Sequence, residues 1–175
     1  MIILAIDPAN TTGYALGDGQ RAAYGTWDLT AWGTGHPGNR LVRLHELVGR
    51  TIRDNGVELI AFEAASFGGV NQATKAAHNE LRGVIRLTAA EAGIQCQEYH
   101  PTTIKKFATG HGHATKQQMV RAAKTLLGLE TESDDVADAA FILALAQRDV
   151  ARPYVGRPVT TKKRRPRKAK EKTLF

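Results

Sequence analysis

Met1 to Ile6 form an unbroken apolar run that stops on Asp7 and Pro8. A run this uniform predicts a strand buried on both faces at the centre of a sheet. Gly13 to Gly17 and Ala22 to Leu29 read as two short strands joined at Asp18-Gly19, a hairpin that extends the first strand into an antiparallel meander. Thr30 to Asn39, rich in Gly and small polar residues, reads as a loop. Leu41, Leu44, Leu47, Val48 and Ile52 recur at helical spacing and predict a helix over Arg40 to Asn55, ended by Asn55-Gly56. Val57 to Phe62 is a second apolar run, broken only by Glu58, and it too ends on a carboxylate, Glu63. After a loop over Ala64 to Val70, an Ala-rich helix is expected from about Asn71 to Ala92. Its apolar positions spread widely enough to be covered on more than one side, either as a central core helix or through a dimer contact. Ile94 to Tyr99 reads as a strand and Pro101 to Ala108 as a brief helix. Thr109 to His113 follows as a loop, and Ala114 to Leu127 as a basic amphipathic helix. Asp135 to Val150 closes the series as a helix with Ala139, Ile142, Leu143 and Ala146 on its apolar face. This order predicts an α/β fold: a mixed five-stranded sheet, an antiparallel meander plus parallel strands, with helices on both faces.

The length of 175 residues suits one domain, expected over residues 1–150, with a C-terminal tail over residues 151–175. Charge separates the two. The net charge is +7, but the tail carries ten basic residues against one acid, Glu171, leaving two more acids than bases in the body. Lys162, Lys163, Arg164, Arg165, Arg167 and Lys168 form its densest part. Such a tail attracts phosphate without needing structure, and equally suits a nuclear-import signal, a solubility tail or an RNA-binding arm. No apolar stretch reaches the roughly 20 residues that cross a bilayer, and no charged leader opens the chain, so a soluble, intracellular, cytoplasmic protein is expected. The single Cys96 agrees with a reducing compartment.

Candidate chemistry lies in the acids. A carboxylate at the end of a buried strand is costly unless a cation, donors or a metal answer it, although a lone Asp-Pro pair also suits a turn cap. Glu63 repeats the Asp7 pattern. Asp135 and Asp138 stand three apart at the start of the last helix, so both project from one face, with Cβ atoms about 5–6 Å apart. Acids in a first turn also suit the helix dipole, with Ser133 or Asp134 as the cap. Four acids flanked by core residues repel, by about 4 kcal/mol for a pair about 4 Å apart at an effective dielectric near 20, unless protonated or metal-bound. Oxygen-only ligands favour Mg²⁺, with Mn²⁺ as substitute, and two such ions about 3.5–4 Å apart serve phosphodiester cleavage. His111 and His113 flank Gly112 in a loop and are assigned no zinc site.

These motifs, in their order, resemble the RuvC-type Holliday junction resolvases of the ribonuclease H-like superfamily, over roughly Ile2 to Ala146. Ile3 to Pro8 with Gly13-Tyr14-Ala15 is similar to the family's first strand and turn, and Ile60-Ala61-Phe62-Glu63 to its second acidic strand end. Tyr99 to Pro101, Ile104-Lys105-Lys106, Thr109 to Gly112 and Ala114-Thr115-Lys116 resemble the segment bearing its functional lysines, placed here at Lys105 and Lys116. Asp135-Val136-Ala137-Asp138-Ala139 resembles the closing Asp-x-x-Asp-Ala motif. The resemblance implies a ribonuclease H-like fold and a homodimer that binds four-way DNA junctions and nicks two strands symmetrically. It further implies Asp7, Glu63, Asp135 and Asp138 as metal-binding catalytic acids, with Lys116 beside them. Lys105, Lys106, Lys116 and Arg121 would then face DNA with the basic tail. Three features depart from the family: Ala9 stands where Gly is usual, the basic tail lies outside the family body, and the aromatic expected three residues past the second acid is replaced by Ser66. Phe67, one step later, is the candidate junction wedge. These departures suit a divergent, phage-type member. Broader branched-DNA cleavage, RNA–DNA hybrid cleavage and a non-catalytic DNA-binding role are the competing expectations. A sugar-kinase-like reading of Asp7 to Gly13 needs a second phosphate loop and a longer chain.

Overall fold

The first apolar run is the middle strand of the sheet. The computed structural model describes residues 1–30, 35–65 and 72–151. Within them the chain forms β1 (Ile3–Asp7), β2 (Thr11–Gly17), β3 (Ala22–Asp28), α1 (Asn39–Asn55), β4 (Leu59–Glu63), α2 (Gln72–Glu91), β5 (Gln95–Tyr99), α3 (Pro101–Thr109), α4 (Lys116–Leu127) and α5 (Asp134–Ala151). The strand order is β3-β2-β1-β4-β5. β1 pairs antiparallel with β2 and parallel with β4; β2 pairs antiparallel with β3, and β4 parallel with β5. The expected mixed sheet is therefore present, with elements shifted by one or two residues at their ends. Phe67 and the basic tail beyond Ala151 fall outside the described residues.

Strand alternation sorts the core into two layers. Leu4 and Ile6 of β1 and Ile60 and Phe62 of β4 pack with Leu44, Val48 and Ile52 of α1 and Leu81 and Ile85 of α2. Ile3 and Ala5 of β1 and Leu59 and Ala61 of β4 face the other way, toward Ile104, Met119, Phe141 and Ile142 of α3, α4 and α5. Burying each large apolar side chain contributes about 1.5–3 kcal/mol. Continuing the alternation places Asp7 and Glu63 on the α5 side of the sheet. Small residues there, Ala5, Ala15, Ala61, Ala137 and Ala139, are buried in that layer and let α5 approach closely. The closest approach is at Gly13, where an added Cβ would lie 2.0 Å from the Asp135 carbonyl oxygen.

Local chemistry sets the helix starts. His100 accepts a hydrogen bond from the Thr102 amide ahead of Pro101, which opens α3. Thr115 and Gln118 form a reciprocal capping box, so α4 begins at Lys116, two residues later than the apolar pattern suggests. The Val136 amide donates to Ser133 Oγ at 3.3 Å, which makes Asp134 the first residue of α5. Among the described residues none other than Gly has positive φ, so Ala9 is accommodated without the left-handed backbone that would demand Gly.

Candidate active site

Register brings the acids together. Asp7 pairs with Gly13 across the β1–β2 ladder, and Gly13 is the residue against which the Asp135 backbone rests. Ile6 pairs with Phe62, so Asp7 and Glu63 leave adjacent parallel strands at the same level. Asp138 follows Asp135 by one turn of α5, and its Oδ1 is buried without a hydrogen-bond partner. An orphaned carboxylate oxygen is costly and marks a position where another positive or donating group belongs.

The electrostatics describe one shared field. Burial raises Asp7 well above the ordinary carboxylate range, and repulsion from Glu63, Asp138 and Asp135 raises it further against the attraction of Arg82. Asp138 is pushed up to about 7, chiefly by burial and then by Glu63, with Lys105 opposing. Burial also raises Glu63, while Arg82 and then Lys105 pull it down. Asp135 is raised by burial and by Asp134, opposed by Lys116. The acids are thus close enough to disfavour one another's ionisation. Among the described residues no three His, Cys, Asp or Glu side chains are placed so that together they could hold a metal ion. What the site offers is an all-carboxylate, mutually repelling donor set with one orphaned oxygen, which fits a hard divalent cation.

The candidate cations fall into two groups. Lys105, half-buried on α3, acts on Glu63 and Asp138. Lys116, at the start of α4, forms an ion pair with Asp134, which raises the lysine, and it also feels Asp135 and Asp138. Lys106 and Arg121 are exposed. Arg121 lines a groove of about 400 Å³ between α4 and the segment before α5, together with Lys116, Lys124 and Asp134. His111 and His113 are both exposed. Trp27 stacks on Tyr14 with ring centroids 4.6 Å apart, a packing role within the sheet.

One charged residue escaped the sequence reading. Arg82 of α2 is buried, its guanidinium 3.6 Å from Glu63 Oε1. The available signal was a lone Arg between Leu81 and Ile85 on the apolar face of the helix.

A mixed sheet whose central strand ends in one carboxylate, with others supplied by the neighbouring strand and by a helix start, defines a nuclease of the ribonuclease H-like class. The family model described as crossover junction endodeoxyribonuclease RuvC matches residues 3–147, and the chain belongs to that family. A relative so named from Moorella thermoacetica is 37% identical over 146 residues, covering 79% of this chain and 86% of the relative. One from Rhodopirellula baltica is 36% identical over 146 residues, covering 80% and 82%. The solved Thermus thermophilus RuvC structure has a TM-score of 0.65 and 25% identity, covering 86% of this chain and 97% of that one. The same protein solved in complex with a Holliday junction substrate has a TM-score of 0.68 at 22% identity, a likeness of fold.

Proposed function

We propose that this chain is a structure-selective DNA endonuclease that resolves four-way junctions by hydrolysing phosphodiesters in paired, symmetric nicks. The observation that carries the reading is the convergence of Asp7, Glu63, Asp135 and Asp138 on one mutually repelling site in a chain of this family. Asp7, Glu63, Asp135 and Asp138 would hold divalent cations, Mg²⁺ or in its place Mn²⁺, two to a site, which supply Lewis acidity and lower the pKa of water. The chain's own residues do the rest. Asp7, most strongly burdened by its neighbours, anchors the site, Glu63 and Asp138 complete it, and Asp135 orients water or joins the ligand set. Lys116 and Lys105 place positive charge beside the acids, where a backbone phosphate must sit and where negative charge grows in the transition state. The reaction adds a water oxygen to phosphorus and breaks the bond to the 3′ oxygen, leaving a 3′-hydroxyl and a 5′-phosphate.

Two identical sites are needed for symmetric cuts, which a homodimer supplies; Leu87, exposed on α2, agrees with a contact on that helix. Lys106 and Arg121 extend the DNA-facing surface, Phe67 opens the junction, and Lys162, Lys163, Arg164, Arg165, Arg167 and Lys168 add affinity for phosphate. Among the described residues no helix is long and apolar enough to cross a membrane.

A panel of end-labelled four-way junction, three-way junction, linear duplex and RNA–DNA hybrid, each with and without Mg²⁺, tests the substrate class. Cleavage confined to the four-way junction and dependent on Mg²⁺ is expected. Cleavage of every branched form would replace the reading with a debranching nuclease, and cleavage of the hybrid with a ribonuclease. Binding without cleavage would leave only a DNA-binding protein.

A further inference from the structure

Arg82 lies among the apolar residues of α2 and is 4% exposed. A buried guanidinium is costly unless its donors are used. Its Nε donates to the Glu63 carbonyl oxygen at 2.8 Å, its Nη2 to the Ala64 carbonyl oxygen at 3.3 Å, and its Nη1 to Asn79 Oδ1 at 3.3 Å. The Nη2 that reaches Ala64 also stands 3.6 Å from Glu63 Oε1. One planar group therefore holds the backbone and the carboxylate of the same acid, together with the next carbonyl along. Lys, a point charge without the fork, cannot reproduce that pattern.

We propose that Arg82 is a positioning residue for Glu63: by pinning the end of β4 and the Glu63 side chain together, it presents this carboxylate beside Asp7 and Asp138 in the orientation a divalent cation requires. The inference rests on the nuclease reading above. Its charge alone makes the opposite prediction. A guanidinium repels an arriving cation, so a residue acting only through charge would weaken metal binding, and neutralising it would tighten that binding. A residue acting through geometry strengthens metal binding despite its charge.

The test uses the full-length protein with Arg82→Gln, Arg82→Lys and Asn79→Ala. It reads binding of Mn²⁺ alone by electron paramagnetic resonance, four-way junction binding without divalent cation, and junction nicking. Both Arg82 variants are expected to lose about 10–100-fold in Mn²⁺ affinity, the usual cost of removing an outer-shell partner. Metal-free junction binding should be retained. Asn79→Ala, an exposed change that removes only the Nη1 acceptor, should lose about two- to tenfold. Tighter Mn²⁺ binding by Arg82→Gln with wild-type affinity in Arg82→Lys would overturn the proposal in favour of charge. Wild-type Mn²⁺ affinity in every variant would also overturn it. If the Arg82 variants do not fold, Asn79→Ala decides alone, and unchanged Mn²⁺ affinity there counts against the proposal. A wild-type protein that neither binds Mn²⁺ nor nicks the junction removes the nuclease reading and this inference together; active wild-type protein with indifferent variants removes only this one.

Discussion

At the scale of single residues the site is a set of carboxylates that the fold makes unfavourable. Asp138 illustrates the consequence. Its folded-state pKa is raised from 3.8 to about 7 by burial first and Glu63 second. A raised carboxyl contributes stability that is fully present below its unfolded pKa and is lost as pH rises through the folded value. Asp138 should therefore withdraw stability from the metal-free protein between about pH 4 and about pH 7, against the opposite contribution of His78, which burial lowers. Asp138→Asn should flatten that slope in thermal melts recorded without divalent cations, whereas an unchanged slope would contradict the assignment. Asp18 and Asp28, whose carboxyls are lowered by hydrogen bonds from Arg21, Gln20 and Thr30, act at lower pH, below the ordinary carboxyl range, and do not mask the effect. The acids were legible because each ends an apolar run or opens an apolar helix, a position where a charge is conspicuous. Arg82 was not, because an Arg on a helix is ordinary in sequence. Only the chain path shows that its guanidinium reaches carbonyls 18 and 19 residues away.

At the scale of elements the site depends on how closely α5 rides over the sheet. Ala and Gly on β1, β2 and β4 supply the space, and Gly13 is the tightest point. An added Cβ there would meet the carbonyl oxygen and carbon of Asp135 at 2.0 and 2.4 Å, backbone atoms that no rotamer change can move aside. Gly13→Ala should lower stability by about 1–3 kcal/mol, as overpacking does. It should also reduce nicking more than junction binding, because Asp135 shifts relative to Asp7. Equal thermal melts and nicking rates for the two proteins would show that α5 does not depend on this contact. Strand and helix identities were legible from period alone, with boundary shifts where Thr115 and Ser133 cap their helices. The pairing of Gly13 with Asp7 on one side and its contact with Asp135 on the other was not legible, since sequence spacing carries no register between β2 and a helix more than a hundred residues on.

At the scale of the whole molecule, charge is divided between a slightly acidic body that holds the proposed site and a tail with ten basic residues. Each phosphate contact by the tail releases counterions, so the tail should steepen the salt dependence of binding without entering catalysis. Deleting residues 157–175 should weaken junction binding and flatten its dependence on salt, while nicking at saturating protein persists. An unchanged salt slope would remove the tail from the DNA interface. The division was legible from composition because it needs no fold, whereas the proposed symmetry of cleavage calls on a proposed second copy, which composition does not carry. The most direct measurement is nick mapping on an end-labelled four-way junction with Mg²⁺, comparing the wild-type protein with Asp7→Asn. Symmetric nicks on two opposed strands by the wild type are predicted. For Asp7→Asn the prediction is retained junction binding and cleavage reduced by at least about 10²–10³-fold. Full cleavage by Asp7→Asn, or a wild type that binds the junction and leaves every strand intact, would contradict a carboxylate-centred nuclease site.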